Sequence, residues 1–280
     1  PGRDDEFAAV SSFDIGSTVQ QTIEHGNFTT NIGIEYLGRE NVDAYDAVVS
    51  VLNRTYSLKN GSEDGWSLFA LTDWQASAKV ALEFGGRATR NSQDHDGIHS
   101  SDTANALTAG LVYSPNDWSR VTANLASGFR FPTLEERFYT GVTAQGEVVG
   151  NPDLGSEKSK GIDIGYAIDR GNWGGEIHLW RTNVDDLIQL IDISDDVNGY
   201  VNVGHAKLHG GEVALGFTPV DALTLRGSVA VVRGTDNTGQ QLYGIPPVTA
   251  EIEARYRASA FDVGARFSHH YLAHQHDISL

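Results

Sequence analysis

The chain has 280 residues with 20 Lys+Arg against 37 Asp+Glu, a formal net charge of −17, and neither cysteine nor methionine. Zero cysteine excludes a disulfide framework, an iron–sulfur cluster and any Cys-ligated zinc site. The acidic balance and the lack of a Lys/Arg tract argue against nucleic acid as a partner. No run of 18 apolar residues occurs, which excludes a membrane-crossing helix but not a barrel crossing with alternating strands.

Alternation of apolar and polar residues dominates in chain order. Leu107, Ala109, Leu111 and Tyr113 share a face, as do Val121, Ala123, Leu125, Ser127 and Phe129. The scheme repeats at Ile162, Ile164, Tyr166 and Ile168, at Val213, Leu215 and Phe217, and at Leu223, Leu225, Gly227, Val229 and Val231. It returns at Ile252, Ala254 and Tyr256 and at Val263, Ala265 and Phe267. Short turn signals fall at 25–27, 76–78, 114–117, 170–172, 218–221 and 258–259. Long polar stretches fall between them at 38–65, 91–103, 131–157, 185–199 and 234–247. Strict alternation of short and long connections predicts about twelve strands in six hairpins, with one short helical turn at Leu134–Arg137.

Two architectures share this pattern. One is a transmembrane up-and-down β-barrel with apolar faces outward; the other is a soluble sandwich or propeller. Tyr113, Tyr166, Phe217 and Tyr256 stand just before short turns, and Trp118 and Trp173 just after. Amphipathic rings at one level of a sheet are what a membrane–water interface selects. The expectation is therefore all-β, an antiparallel transmembrane barrel wall with short periplasmic turns and long extracellular loops. By parity, Arg130, Asp163, Glu176, His178, Arg226, Glu251, Glu253 and Arg255 face the lumen.

The stretch Ala126-Ser127-Gly128-Phe129-Arg130-Phe131-Pro132-Thr133-Leu134-Glu135-Glu136 resembles the "SGFR-x-P-(T/S)-L-x-E" segment of TonB-dependent outer-membrane receptors. Gly150-Asn151-Pro152-Asp153-Leu154 with Glu157-Lys158-Ser159 is similar to that family's "GNP-x-L-x-P-E-x-S" segment, with Ser156 where the pattern has proline. Asn202-Val203-Gly204 with Gly210-Gly211-Glu212, and Tyr243-Gly244-Ile245-Pro246-Pro247, resemble two further segments in the family's order. The resemblance implies a barrel of about 22 strands with an N-terminal plug. Residues 1–280 are then expected to be part of the barrel domain, with the plug and the terminal strands absent. It also implies a place in the outer membrane of a Gram-negative bacterium, in contact with its lipid. TonB–ExbB–ExbD is the implied energy partner, acting through the missing plug. The implied function is uptake of a scarce iron chelate, a ferric siderophore first. Zinc or copper, haem and cobalamin are alternatives, and a passive porin or adhesin barrel is the rival of another class.

Candidate ligand-gripping residues are Arg130, Arg137, Phe138, Tyr139 and Tyr243, which offer cationic donors and stacking faces. Two histidine clusters carry possible metal ligands. One is His95 and His99 beside Asp94 and Asp96; the other is His269, His270, His274 and His276 before Asp277. No resident cofactor is expected. No Gly-x-Ser-x-Gly elbow, HExxH or phosphate-cradling loop occurs, so no enzyme is expected.

Overall fold

A strand with one apolar and one polar face pairs most simply with a neighbour through a tight turn, and this chain does so repeatedly. The computed structural model describes residues 6–48, 53–143, 146–242, 244–258 and 260–271. Its elements in order are β1 (Glu6–His25), β2 (Phe28–Val48), β3 (Asn53–Ser77), β4 (Val80–His95), β5 (Ile98–Asn116), β6 (Ser119–Arg130) and α1 (Leu134–Phe138). Two short strands follow, β7 (Thr140–Thr143) and β8 (Gly146–Val149). The rest are β9 (Glu157–Asp169), β10 (Trp173–Ser194), β11 (Val197–Val220), β12 (Leu223–Asp236), β13 (Val248–Ala258) and β14 (Phe261–Tyr271).

With β7 and β8 off the main path, the order β1-β2-β3-β4-β5-β6-β9-β10-β11-β12-β13-β14 is a twelve-stranded antiparallel meander. Every wall strand neighbours its sequence neighbour, as the alternating pattern requires. Among the described residues β1 and β14 pair on one side only, so this sheet is not closed on itself.

Directly opposed residues share a face, which lets each face be followed across the wall. One row runs Val121, Tyr166, Ile177, Val213, Val229 and Ala250. The adjacent row, on the other face, runs Thr122, Gly165, His178, Glu212, Ala230 and Thr249. The first face is apolar and bare: Leu179 is 55 %, Leu215 61 % and Ile252 65 % exposed. An apolar surface of that extent is untenable in water and natural against lipid. The second face carries the polar residues and is called the inner face below.

The six short turns fall where the sequence puts them, the last at 259–260 with residue 259 outside the described residues. Three long connections differ from expectation. Segments 38–65, 91–103 and 185–199 are mainly ladder rather than irregular loop. β2 runs on to Val48 and β3 starts at Asn53, while β4 and β5 meet at a two-residue Asp96–Gly97 turn with φ of 48° and 79°. β10 and β11 meet at Asp195–Asp196. A strand of 25 residues such as β3 spans roughly 80 Å, far beyond the ~10 residues a bilayer needs. Above the membrane both faces are wet, so the apolar alternation lapses while backbone pairing continues. Hydropathy therefore stops reporting strand before the strand stops.

Candidate functional site: a strap across the inner face

The longest connection between two wall strands is 131–157, and its described residues fold. It begins with a capping box: Thr133 Oγ1 accepts from the Glu136 amide at 3.1 Å, and Glu136 Oε2 accepts from the Thr133 amide at 2.8 Å. Arg130, the last residue of β6, then forks. Its Nη1 donates to Glu136 at 2.8 and 3.1 Å, and its Nη2 donates to Glu157 Oε1 at 2.6 Å. Glu157 also accepts from the Ile188 amide at 2.9 Å. One guanidinium thus ties the start of the segment to its end. The bond from Glu157, reinforced by Glu136, raises the Arg130 pKa further and keeps it charged.

Apolar residues press the segment down on the wall. Leu134 is fully buried and packs with Phe138 against Val42, Ala44 and Leu58 of β2 and β3, with Tyr139 at the edge of the cluster. Arg137, 3 % exposed, donates to Gln93 Oε1 at 3.0 Å, Asp102 Oδ2 at 2.5 Å and the Leu154 carbonyl at 2.7 Å. Gln93 in turn donates to Glu63 at 3.1 Å and the Pro132 carbonyl at 2.8 Å. Gly150 lies so close to the Arg137 backbone that a Cβ there would sit 2.6 Å from its carbonyl carbon and oxygen.

The far side is anchored on β10 and β11. β8 pairs in parallel with β11 from Glu147↔Val197 to Val149↔Gly199. Asn202 and Gly155 exchange two hydrogen bonds, 2.8 Å into Asn202 Oδ1 and 3.0 Å from its Nδ2, and Asn151 donates to the Tyr200 carbonyl at 3.0 Å. Burial beside Glu136 and Glu135 raises the Tyr200 pKa. Segment 131–157 is thus a strap over the inner face, fastened at β2–β5 and again at β10–β11.

The structure brings four of the sequence-proposed ligand residues into this one seam. Arg130, Arg137 and Phe138 have their polar and ring atoms turned into it, and Tyr139 is half-buried at its edge. Tyr243 lies outside the described residues. Of the histidines, His95 joins the seam: its ring stands 5.4 Å from that of Phe138, and Nδ1 is buried without a hydrogen-bond partner. His99 Nδ1 meets Asp94 at 2.9 Å near the β4–β5 hairpin tip. His269 and His270 occupy successive positions of β14 and so point to opposite faces. His274 and His276 lie outside the described residues. Among the described residues, no three His, Asp, Glu or Cys side chains stand together as a metal site. Sequence reasoning missed Gln93, Asp102 and Asn202 as strap anchors; only the position of Asn202 in a family-like segment hinted at its importance.

Towards the short turns the inner face changes character. Glu176, Glu212, Arg226, Glu251, Glu253 and Arg266 line a groove of about 720 Å³. Arg266 pairs with Glu251 at 3.1 Å and Glu253 at 3.0 Å. Nearer the strap, Arg87 pairs with Glu35 and donates to Ser67 at 2.7 Å.

An antiparallel wall with a bare apolar face, a polar face and an inward strap defines a transmembrane β-barrel component. The family described as "TonB dependent receptor-like, beta-barrel" matches residues 2–275, and the chain belongs to it. It is 28 % identical over 193 residues to the heme/hemopexin utilization protein C of Haemophilus influenzae (strain 86-028NP), covering 59 % of this chain and 27 % of that protein. Against the vitamin B12 transporter BtuB of Photobacterium profundum it is 25 % identical over 155 residues, covering 54 % and 22 %. The chain therefore spans about a quarter of the length of these relatives. The fold matches the copper transporter OprC (TM-score 0.84, 18 % identity, 94 % of this chain and 43 % of that one). It also matches the Serratia marcescens hemophore receptor HasR in complex with HasA and heme (TM-score 0.76, 14 % identity, 94 % and 52 %).

Proposed function

We propose that this chain is a large part of the wall of a TonB-dependent receptor in the outer membrane of a Gram-negative bacterium. In this reading the receptor takes up an iron-containing chelate, haem or a ferric siderophore. The observation that carries it is the strap, because the residues of two family-like segments, 126–136 and 150–159, are the ones that build and fasten it. A wall whose lipid face is bare and whose inner face is polar and strapped suits a gated aqueous path better than a packed soluble core.

The rest of a barrel of about 22 strands and a plug complete the machine. The carboxylate-rich groove near the short turns suits contact with such a plug, through which TonB–ExbB–ExbD acts. Arg130, Arg137 and Phe138 hold the strap in place, while Tyr139 and Tyr243 offer stacking faces to the ligand. The sequence relatives are named for heme and hemopexin and for vitamin B12, which keeps haem beside siderophores as the substrate class. Transport without catalysis is the reading throughout.

The test is calorimetry on the whole receptor in detergent, with haem, ferric siderophores, Zn²⁺ and Cu²⁺ as separate titrants. The same titrations are run with His95, His99, His269, His270, His274 and His276 changed to alanine. Binding of an iron chelate that free Zn²⁺ or Cu²⁺ does not reproduce supports the proposal. Tight binding of the bare divalent ion, lost in the histidine variant, makes the receptor a metal-ion importer instead.

A further inference from the structure

Asn-Gly occurs twice in the chain, at Asn60–Gly61 and Asn198–Gly199, and the fold treats the two in opposite ways. The second is clamped. Asn198, 9 % exposed, opposes Asp192 of β10 on one side and Val148 of β8 on the other. A Cβ on Gly199 would stand 3.0 Å from Ile193 Cδ1, so packing there calls for glycine. The first lies where the β2–β3 ladder slips. Val42 opposes Gly61 and Ala44 opposes Leu58, which leaves Lys59 and Asn60 bulged opposite Asp43. Asn60 is exposed, its backbone is left-handed at a φ of 53°, and its amide donates to Asp43 Oδ1 at 2.8 Å. Gly61 has no packing need to be glycine. A Cβ there would meet the Val42 carbonyl oxygen at 3.5 Å and Leu134 Cδ1 at 3.7 Å, both ordinary contacts.

An asparagine followed by glycine carries its own reaction. With no Cβ to shield it, the glycine nitrogen reaches the side-chain carbonyl carbon of the residue before it. A bond from Gly61 N to Asn60 Cγ forms while the Cγ–Nδ2 bond breaks, and Nδ2 leaves as ammonia with the Gly61 amide proton. Water then opens the five-membered imide at one of its two carbonyls. The products are aspartate and isoaspartate, the second with one extra methylene in the main chain. Water is at hand: from Trp74, beside the short turn, to Asn60 is fourteen positions along β3, about 46 Å of strand. At a tilt near 40° that is about 35 Å along the membrane normal, beyond an apolar belt about 25 Å tall.

We propose that Asn60–Gly61 is a self-modifying site at which deamidation of Asn60 loosens the strap. Its neighbours carry the change inward. Val42 and Leu58, on either side of the bulge, belong to the wall half of the core that holds Leu134 and Phe138. Aspartate at position 60 sets a second carboxylate beside Asp43, and like charges so close repel. The adjacent Lys59 ammonium is engaged over the Tyr56 ring, 4.9 Å from its centre. Isoaspartate lengthens the main chain at the point where the register already slips. Conversion is a slow, one-way change in how firmly the strap is held, independent of which ligand the receptor carries.

The experiment ages the whole receptor in detergent at mildly alkaline pH and samples it over days. Peptide mapping by mass spectrometry reads aspartate and isoaspartate, and amide hydrogen exchange reads the strap. The proposal expects conversion at Asn60 at least tenfold faster than at Asn198. Gly61→Ala, whose methyl fits the space, should slow it at least tenfold. Exchange at Tyr139 and Gly150 should rise at least threefold in the converted receptor and in fresh N60D. It should stay at its starting rate in aged N60G, which keeps the left-handed backbone but has no side-chain amide, so a folding defect in G61A does not decide the matter. Conversion at Asn60 no faster than at Asn198, undiminished conversion in a folded G61A receptor, or strap exchange unchanged by conversion would each overturn it. So would an equal rise in aged N60G.

Discussion

Segments 91–103 and 131–157 look alike as sequence, polar stretches between amphipathic strands, yet one remains ladder and the other folds. The first contains a single large apolar residue, Ile98, and resolves its backbone hydrogen bonds by carrying β4 and β5 outward to a two-residue turn. The second brings Leu134, Phe138, Val148 and Leu154, all buried, together with an arginine that finds three acceptors in the wall and the strap itself. A polar connector with nothing to bury saturates its backbone most simply by more pairing. One with spaced apolar residues gains from folding down, at about 25 cal/mol per Å² removed from water.

Substitutions break this contrast at points of graded severity. Arg137→Ala is the most damaging, because it strands Asp102 and Gln93 in the seam; the expected cost is about 3–5 kcal/mol. Limited proteolysis of the receptor in detergent should then cut within 131–157 while the strands stay intact. Leu134→Ala, which empties a fully buried site, should cost about 2–5 kcal/mol, read as a lower melting temperature with the same new cleavage. Thr133→Ala removes one half of the capping box at about 1 kcal/mol, faster amide exchange at Glu136 being its local sign.

On the ladder side the effects are smaller. Gly97→Ala meets open space but forces a side chain onto a φ of +79°, for about 1 kcal/mol at most, confined to the 95–98 hairpin. The 237–242 turn offers a pH test. The Thr238 hydroxyl, then the amides of Gln240, Thr238 and Gly239, hold the Asp236 carboxyl below its usual range. Its folded pKa is depressed, so its contribution is complete above the unfolded value near 3.8 and is lost as pH falls through the lower folded value. Amide exchange at 238–240 should therefore accelerate only in strong acid, and Asp236→Asn should remove that pH dependence.

Much of the wall was legible because membrane and lumen impose opposite polarities on alternate residues. Val121 and Thr122 announce their faces without reference to any partner. The place of the short turns and the lumen parity of Arg130 and Glu176 follow from the same rule. The ends of β3 and β10 were not legible, since strands surrounded by water carry no such imprint. The seam was hidden for another reason. Arg137 and Phe138 read as candidate ligand grips because a loop arginine and a loop phenylalanine are chemically suited to a ligand. What buries them is Gln93, Asp102 and Val42, whose nearness depends on registry between strands far apart in sequence.

The central claim, that 131–157 is a folded strap rather than a mobile loop, is tested most directly by amide hydrogen exchange on the intact receptor in detergent. The account predicts protection at Tyr139, Gly150, Asn151 and Gly155, whose amides donate to Glu135, Tyr139, Glu136 and Asn202, at a level approaching that of the wall strands. Exchange of these four amides at the rate of an unstructured chain would contradict it.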